Sequence, residues 1–168
     1  YMNKIKLKDI SKNDFKNIYN ITSQETVMKF VGNRLLWDKS KVKRFIKYNL
    51  EEQKLTDLCR QNYYYKIVNE NSISYKFIGI IGFHTFQNFK GYYLTVYLDP
   101  KEHAKGYFTK SLKQLFKKVK KHKPNLKYIF SLVNINNYNM IEISNYKFKF
   151  IKKFKIKDNI YNQYKIFI

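Results

Sequence analysis

The chain has 168 residues, 44% of them hydrophobic and 18% aromatic, which is enough apolar material for a buried core and excludes a disordered chain. It therefore reads as a single domain over residues 2–168. Its 34 Lys+Arg against 12 Asp+Glu give a formal net charge of +22, which disfavours polycationic ligands because repulsion slows their encounter.

Ile5 to Ile10 alternates like a short strand, and Ser11 and Asp14 in "SKNDF" have the spacing of an N-terminal cap. Phe15 to Thr22 then reads as a helix with Phe15, Ile18, Tyr19 and Thr22 on one face. "WDKSKVKRFIKYNLEEQ" predicts a second amphipathic helix, capped by Asp38 or Ser40, with Val42, Phe45, Ile46 and Leu50 inward. The period then changes to two. "YYYKIVNE" reads as a strand, "NENS" as a turn, and "YKFIGIIGFHTF" as a long strand loosened by Gly79 and Gly82. "QNFKG" predicts a hairpin turn into the strand "YYLTVYLD", which Pro100 ends by removing a ladder donor.

A helix over Tyr107 to Lys121 carries Phe108, Leu112, Leu115, Phe116 and Val119 at helical spacing. "KYIFSLVN" is a strand entering a loop and short helix in "INNYNMIEISNYKF". "FKFIKKFKI" and "YNQYKIFI" close the chain as a hairpin around "KDN". The order is strand, two helices, three strands, helix, strand, short helix, two strands: a mixed α/β fold without repeats or a flexible linker.

Cys59 is the one cysteine, so an internal disulfide and a cysteine zinc cluster are excluded, and no metal site is expected. Nothing resembles a signal peptide or a membrane span, which makes a cytoplasmic protein the expectation. Arginine occurs only at Arg34, Arg44 and Arg60, and the lysines run through the whole chain. A solvated lysine coat is the preferred reading of that charge, with nucleic acid as the lesser alternative where Phe and Tyr interleave "KKFK" and "KKVKKHK".

The stretch "YLDPKEHAKGYFTKSLKQLF", residues 97 to 116, concentrates chemistry. A strand, a tight basic loop and a helix start present free N–H groups and the positive end of a helix, an arrangement suited to phosphate. Gly106 lets the backbone turn and approach a ligand, while Lys101 and Lys105 add charge.

The element order and "YLDPKEHAKGY" resemble the GNAT acetyltransferase superfamily, most closely its branch that acetylates N-terminal amines of ribosomal proteins. The family's loop reads Q/R-x-x-G-x-G/A. Here Lys101 takes the first place, Ala104 that of the first glycine and Gly106 the last. A second signature, an Asn on the next strand's exit loop and a Gly-Phe pair about twelve residues on, is matched by Asn136 and Phe148. Asn139 stands for the branch's usual Ser and Lys147 for its Gly.

That resemblance implies a mostly antiparallel sheet of about seven strands with about four helices, splayed in the middle for coenzyme A. It implies direct transfer from acetyl-CoA to a primary amine, on a small molecule or a protein N-terminus, by a monomer or homodimer. Val96, Tyr97 and Leu98 would pair with pantetheine through their backbone. Lys101, Ala104, Lys105, Gly106, Tyr107, Phe108 and Thr109 would hold the pyrophosphate, and Asn136 the pantetheine side. Tyr138 and Asn139 would reach the thiol end or the adenine end, and a backbone amide near Thr95 or Val96 would polarise the thioester carbonyl. For proton transfer the cofactor strand offers no carboxylate before Asp99, and the tyrosine many relatives use as thiol acid is Ile143 here. His84 is then the candidate base, with Asn139 and Ser144 as further catalytic candidates and Glu142 weaker. A catalytically idle binding module on the same fold, attached to nucleic acid through its lysines, is the alternative.

Overall fold

Alternating apolar residues resolve into one seven-stranded sheet in the structure, a computed structural model that describes residues 4–32, 34–70, 75–86 and 89–168. The strands are β1 Lys4–Asp9, β2 Asn62–Glu70, β3 Tyr75–Phe86, β4 Phe89–Leu98, β5 Tyr128–Asn134, β6 Lys149–Ile156 and β7 Asn159–Phe167. Their order is β1-β2-β3-β4-β5-β7-β6, and every adjacent pair is antiparallel except β4 and β5. The helices are α1 Phe15–Thr22, α2 Glu25–Met28, α3 Lys39–Glu52, α4 Tyr107–His122 and α5 Tyr138–Lys147. This is the mixed α/β architecture that the sequence predicts.

Two hydrophobic cores cover the two faces of the sheet. On one, Leu112, Leu115 and Val119 of α4 pack on Tyr65, Ile67, Ile81, Phe83 and Leu94 of the sheet, with Met140, Ile141 and Ile143 of α5 alongside. Each fully buried Leu or Val of this kind contributes about 1.5–3 kcal/mol. On the other face, Ile18 and Ile21 of α1, Val27 and Met28 of α2, Trp37, and Val42 and Ile46 of α3 pack on Ile80 and Tyr97. This second core takes no residue from β5, β6 or β7.

Local chemistry sets the helix starts. Asp14 accepts both the N–H and the hydroxyl of Ser11, at 2.7 and 2.9 Å, around a 3-10 turn at Lys12–Asp14. Lys66 holds the same buried carboxylate at 2.9 Å, so the cap is tied to β2. Asp38, rather than Ser40, caps α3 through a 2.6 Å bond from the Lys41 N–H.

Three expectations need correction. The single turn Glu25–Met28 is a fifth helix that the sequence reading passed over, being too short to show a period. Phe89, Lys90 and Gly91 of the expected "QNFKG" turn belong to β4, while residues 87 and 88 lie outside the described residues. β2 ends at Glu70, as the expected strand "YYYKIVNE" does, and residues 71–74, with the second half of the expected "NENS" turn, are likewise outside. No helix among the described residues is long and apolar enough to cross a membrane.

Gly79 and Gly82 do not loosen β3. A Cβ at Gly79 would lie 2.2 Å from the Tyr97 carbonyl oxygen, and one at Gly82 would lie 2.6 Å from that of Tyr63. They are places of close backbone approach. Gly79→Ala is expected to push β3 off β4 and cost about 3 kcal/mol, read as a lowered midpoint in denaturant unfolding.

Candidate functional site

The sheet opens at its centre. β5 is held by β7 at every residue from Tyr128 to Asn134, and β4 is held by β3 from Tyr92 to Leu98. Between β4 and β5, however, one register pair is formed, Tyr93 opposite Phe130. Past it the strands diverge: Tyr97, like Asp99, turns its N–H and C=O toward β3, while Val96 and Leu98 turn theirs to the β5 side, where no strand partner is found among the described residues. Backbone N–H and C=O groups seldom go unpaired inside a fold, so this edge is a place for an extended ligand.

The loop at the mouth of the split follows from its sequence. Asp99 accepts the Lys101 N–H at 3.0 Å and starts a 3-10 turn over Pro100–Glu102, which carries the chain out of the sheet. Ala104 and Gly106 then adopt left-handed backbone, with φ of 60° and 72°. That reversal aims successive N–H groups outward, and α4 makes its first bond from the Lys110 N–H to the Gly106 carbonyl at 3.2 Å. Among the described residues, no acceptor takes the N–H groups of Ala104, Lys105, Gly106, Tyr107, Phe108 or Thr109. A Cβ at Gly106 would meet nothing within 4 Å, so the cradle is open.

Side chains around the loop divide into two groups. The rings of Tyr107 and Phe108 are buried in the α4 core, which leaves only their main chain to face a ligand. Glu102, 2% exposed, pairs with Lys76 and with Lys105 at 3.2 Å. Burial works against its charge, but the hydrogen bonds from the two lysines hold its carboxyl below the ordinary range. Lys105 is therefore partly neutralised. Lys147 Nζ donates to Thr109 Oγ1 at 3.1 Å, which brings a second ammonium onto the first turn of α4.

His84 lies on β3 opposite Tyr93, on the sheet face away from α4. Its Nδ1 stands 3.1 Å from the Thr85 carbonyl and its Nε2 2.7 Å from Thr95 Oγ1. The carbonyl requires an N–H at Nδ1, so Nε2 accepts from the Thr95 hydroxyl. Burial lowers the histidine's pKa from 6.5, against the opposing bond to Thr85. Tyr64 stacks on the imidazole at 5.4 Å.

The remaining candidates lie around α5. The N–H of Asn136 donates to Asn134 Oδ1 at 2.9 Å, and its side chain is exposed. Asn137 caps α5 by accepting the Met140 N–H at 3.3 Å. Asn139 is exposed on the first turn, whereas Ser144 is fully buried under α5 and its Oγ has no partner. Because α5 packs on the α4 face, the sheet separates Ser144 from His84. Ile143, standing where a tyrosine acid is usual, packs into that same core.

Comparison with known proteins matches residues 4–145 to the family model of the acetyltransferase (GNAT) domain. The chain belongs to the GNAT acetyltransferase family. Acetyl-CoA is that family's cosubstrate, and the open cradle and unpaired strand edge fit such a molecule. The fold also superposes on solved structures. Against the Salmonella typhimurium acetyltransferase that modifies the N-terminal serine of 50S ribosomal subunit protein L7/L12, the TM-score is 0.78 at 12% identity, covering 98% of this chain and 95% of that one. A Methanocaldococcus jannaschii domain gives 0.75 at 15% identity over 99% and 100%. Spermidine N-acetyltransferase from Vibrio cholerae, solved with CoA and spermine, gives 0.68 at 13% identity over 98% and 94%. No curated protein matches the chain in sequence.

Three features of this GNAT chain's site are not legible in its sequence: the hydroxyl of Thr95, expected there only for its backbone amide, the Tyr64 ring and the Asn134 side chain. The Thr95 hydroxyl and the Tyr64 ring meet His84 only because β2, β3 and β4 register side by side, which no local pattern shows. Asn134, 1% exposed with Nδ2 unpartnered, was hidden by its place inside an apolar strand. Ala104 in left-handed backbone is strained, and Ala104→Gly is expected to stabilise the fold by about 1 kcal/mol in thermal unfolding. Gly106→Ala is expected to cost about the same, but calorimetric titration should show its CoA affinity falling at least about tenfold, because the new methyl enters the cradle.

Proposed function

We propose that the protein is an N-acetyltransferase that moves the acetyl group of acetyl-CoA to a primary amine, carried by a small molecule or a protein N-terminus. The split between β4 and β5, ending at a loop of six unclaimed N–H groups, is the observation that carries this reading. The bound thioester supplies an activated acyl carbon. The chain's own residues bind, orient and move protons. The amides from Ala104 to Thr109 hold the diphosphate, with charge from Lys101, Lys105 and Lys147. The stretch Val96–Leu98 offers the free N–H and C=O groups of Val96 and Leu98, on either side of Tyr97, to the pantetheine amides, and Asn136 closes the far side.

An attacking amine must lose a proton, and His84 is placed to receive it through Thr95. The threonine oxygen takes the amine's proton as its own passes to Nε2, leaving an imidazolium stacked on Tyr64, while the C–S bond breaks and the departing thiolate is protonated from solvent. Asn139 orients ligand from the first turn of α5. Ser144, sealed in the core, holds α5 and takes no part in proton transfer.

A catalytically idle binding module is the second reading, favoured by the lack of a carboxylate on β4 and by Ile143 in the core. Release of free thiol from acetyl-CoA with a panel of primary amines separates the two. Transfer to any amine supports the enzyme; CoA binding without transfer supports the idle module.

His84→Gln is expected to lower kcat about 100-fold while CoA affinity holds. In the parent protein the rate should fall on an acid limb lying below pH 6.5, and the variant should lose that limb. Stability follows the same group. Above pH 6.5 the folded and unfolded states both hold His84 neutral; as pH falls through that value the unfolded chain binds the proton first, so the fold loses stability until the lower folded-state pKa is passed. Unfolding midpoints measured across this window should show that loss for the parent and not for His84→Gln.

A further inference from the structure

Directly below the split, on the His84 face, the sheet carries a cavity of about 490 Å³ that the chemistry above does not use. Its walls include the rings of Phe89, Tyr93, Tyr128, Phe130 and Phe154. The rings lean on one another, with Tyr93 5.3 Å from Phe130 and Phe89 5.8 Å from Phe154. Tyr93 is buried, but Tyr128 is exposed and Phe89, Phe130 and Phe154 are half-buried, because the α1–α3 core stops short of β5, β6 and β7. A cluster of aromatic rings facing solvent is unfavourable unless something flat covers it.

The polar part of the lining is one-sided. Lys90 and Lys152 border the cavity, and Lys165 lies 4.1 Å from the centre of the Tyr128 ring. No Asp or Glu is among the described residues that line it. Gln163 gives its amide N–H to the Tyr93 hydroxyl at 3.2 Å, which leaves its carbonyl oxygen to accept from a ligand. Gly91 keeps the floor accessible: a Cβ there would press on the Phe130 ring at 3.1 Å.

The cavity meets the proposed reaction centre through Tyr93. This residue is at once a wall of the cavity, the β4 partner of β5 at the apex of the split, and the cross-strand neighbour of His84. A ligand lying on the rings would present its far end to Thr95 and His84.

We propose that this cavity binds the non-reacting part of the acceptor, and that this part is a nucleobase joined to a phosphate. The base stacks on the aromatic walls, the phosphate meets the lysines, and the Gln163 carbonyl reads a donor on the base edge. Stacking of a base on aromatic side chains is sequence-tolerant and strong enough to matter alone. The absence of lining carboxylates turns polyamines away. This inference rests on the acetyltransferase reading for the identity of the acceptor, but not for the binding itself. The same chemistry could come from a free nucleotide or from the end of an RNA strand.

The test is calorimetric titration of adenosine 5′-monophosphate into the full chain saturated with CoA. The expected result is one-to-one binding, with adenosine weaker by at least about tenfold because it lacks the phosphate. The exposed double variant Lys90→Glu/Lys152→Glu should weaken the nucleotide by at least about tenfold and leave CoA affinity unchanged. Phe154→Ala should weaken nucleotide and adenosine alike, by about tenfold. A short single-stranded oligoadenylate binding more tightly than the mononucleotide, with the same dependence on the variants, assigns the RNA source; weaker binding assigns the free nucleotide.

Binding that disappears when CoA is saturating, or that ignores the charge reversal, would overturn the proposal. The CoA titration in the same samples keeps the two readings apart. CoA binding without nucleotide binding defeats this inference alone, and absence of CoA binding defeats the acetyltransferase reading.

Discussion

A parallel pair that is made once and then abandoned governs this molecule. β4 and β5 belong to two half-sheets, each tightly laddered internally, and Tyr93 opposite Phe130 is where they join. The tilted contact of those two rings, 5.3 Å between centroids, reinforces the joint from one face. Antiparallel ladders fix the half-sheets on either side, so the divergence is rigid and not a local fray. An edge left without partners in the middle of a sheet costs free energy that a fold avoids unless a ligand offsets it. The placement of the loop, the helix start and His84 all follow from that joint.

Charge in the loop is distributed with equal economy. Glu102 is buried between Lys76 and Lys105, so it anchors the loop to β3 and reduces the charge the loop presents. The ammonium of Lys147, which stands where the family has glycine, reaches the α4 start and restores part of it. Ala104 accepts left-handed backbone at a place where the family also has glycine. Both departures from the family pattern thus have a local physical reading: one adds charge at a helix N-terminus, the other stores strain in the turn.

Much of this was legible in the residues. The period change after α3, the halt at Pro100 and the apolar spacing of α4 give the element order, because each is a local signal. α5 was read only as a loop and short helix: its polar-rich sequence hides ten helical residues held by packing on β5, β6 and β7. The roles of Gly79 and Gly82 are not legible in the sequence, because contact with Tyr97 and Tyr63 is set by strand pairing and not by neighbours in sequence. His84 could be named as a titratable group, but its partner Thr95 could not, since eleven residues and a hairpin separate them. Residue type nominates Ser144, but its complete burial is set by tertiary packing that residue type cannot show.

The two sheet faces divide the labour. One is sealed by α4 and α5 and supplies stability; the other is covered only over half its width, and its bare half holds the aromatic cavity. Amide hydrogen exchange with and without CoA tests the central claim most directly. Protection gained on binding should concentrate at Val96 and Leu98 and at residues 104–109, where free N–H groups meet the ligand. An unchanged pattern in those two segments, or protection confined to other parts of the chain, would contradict the account.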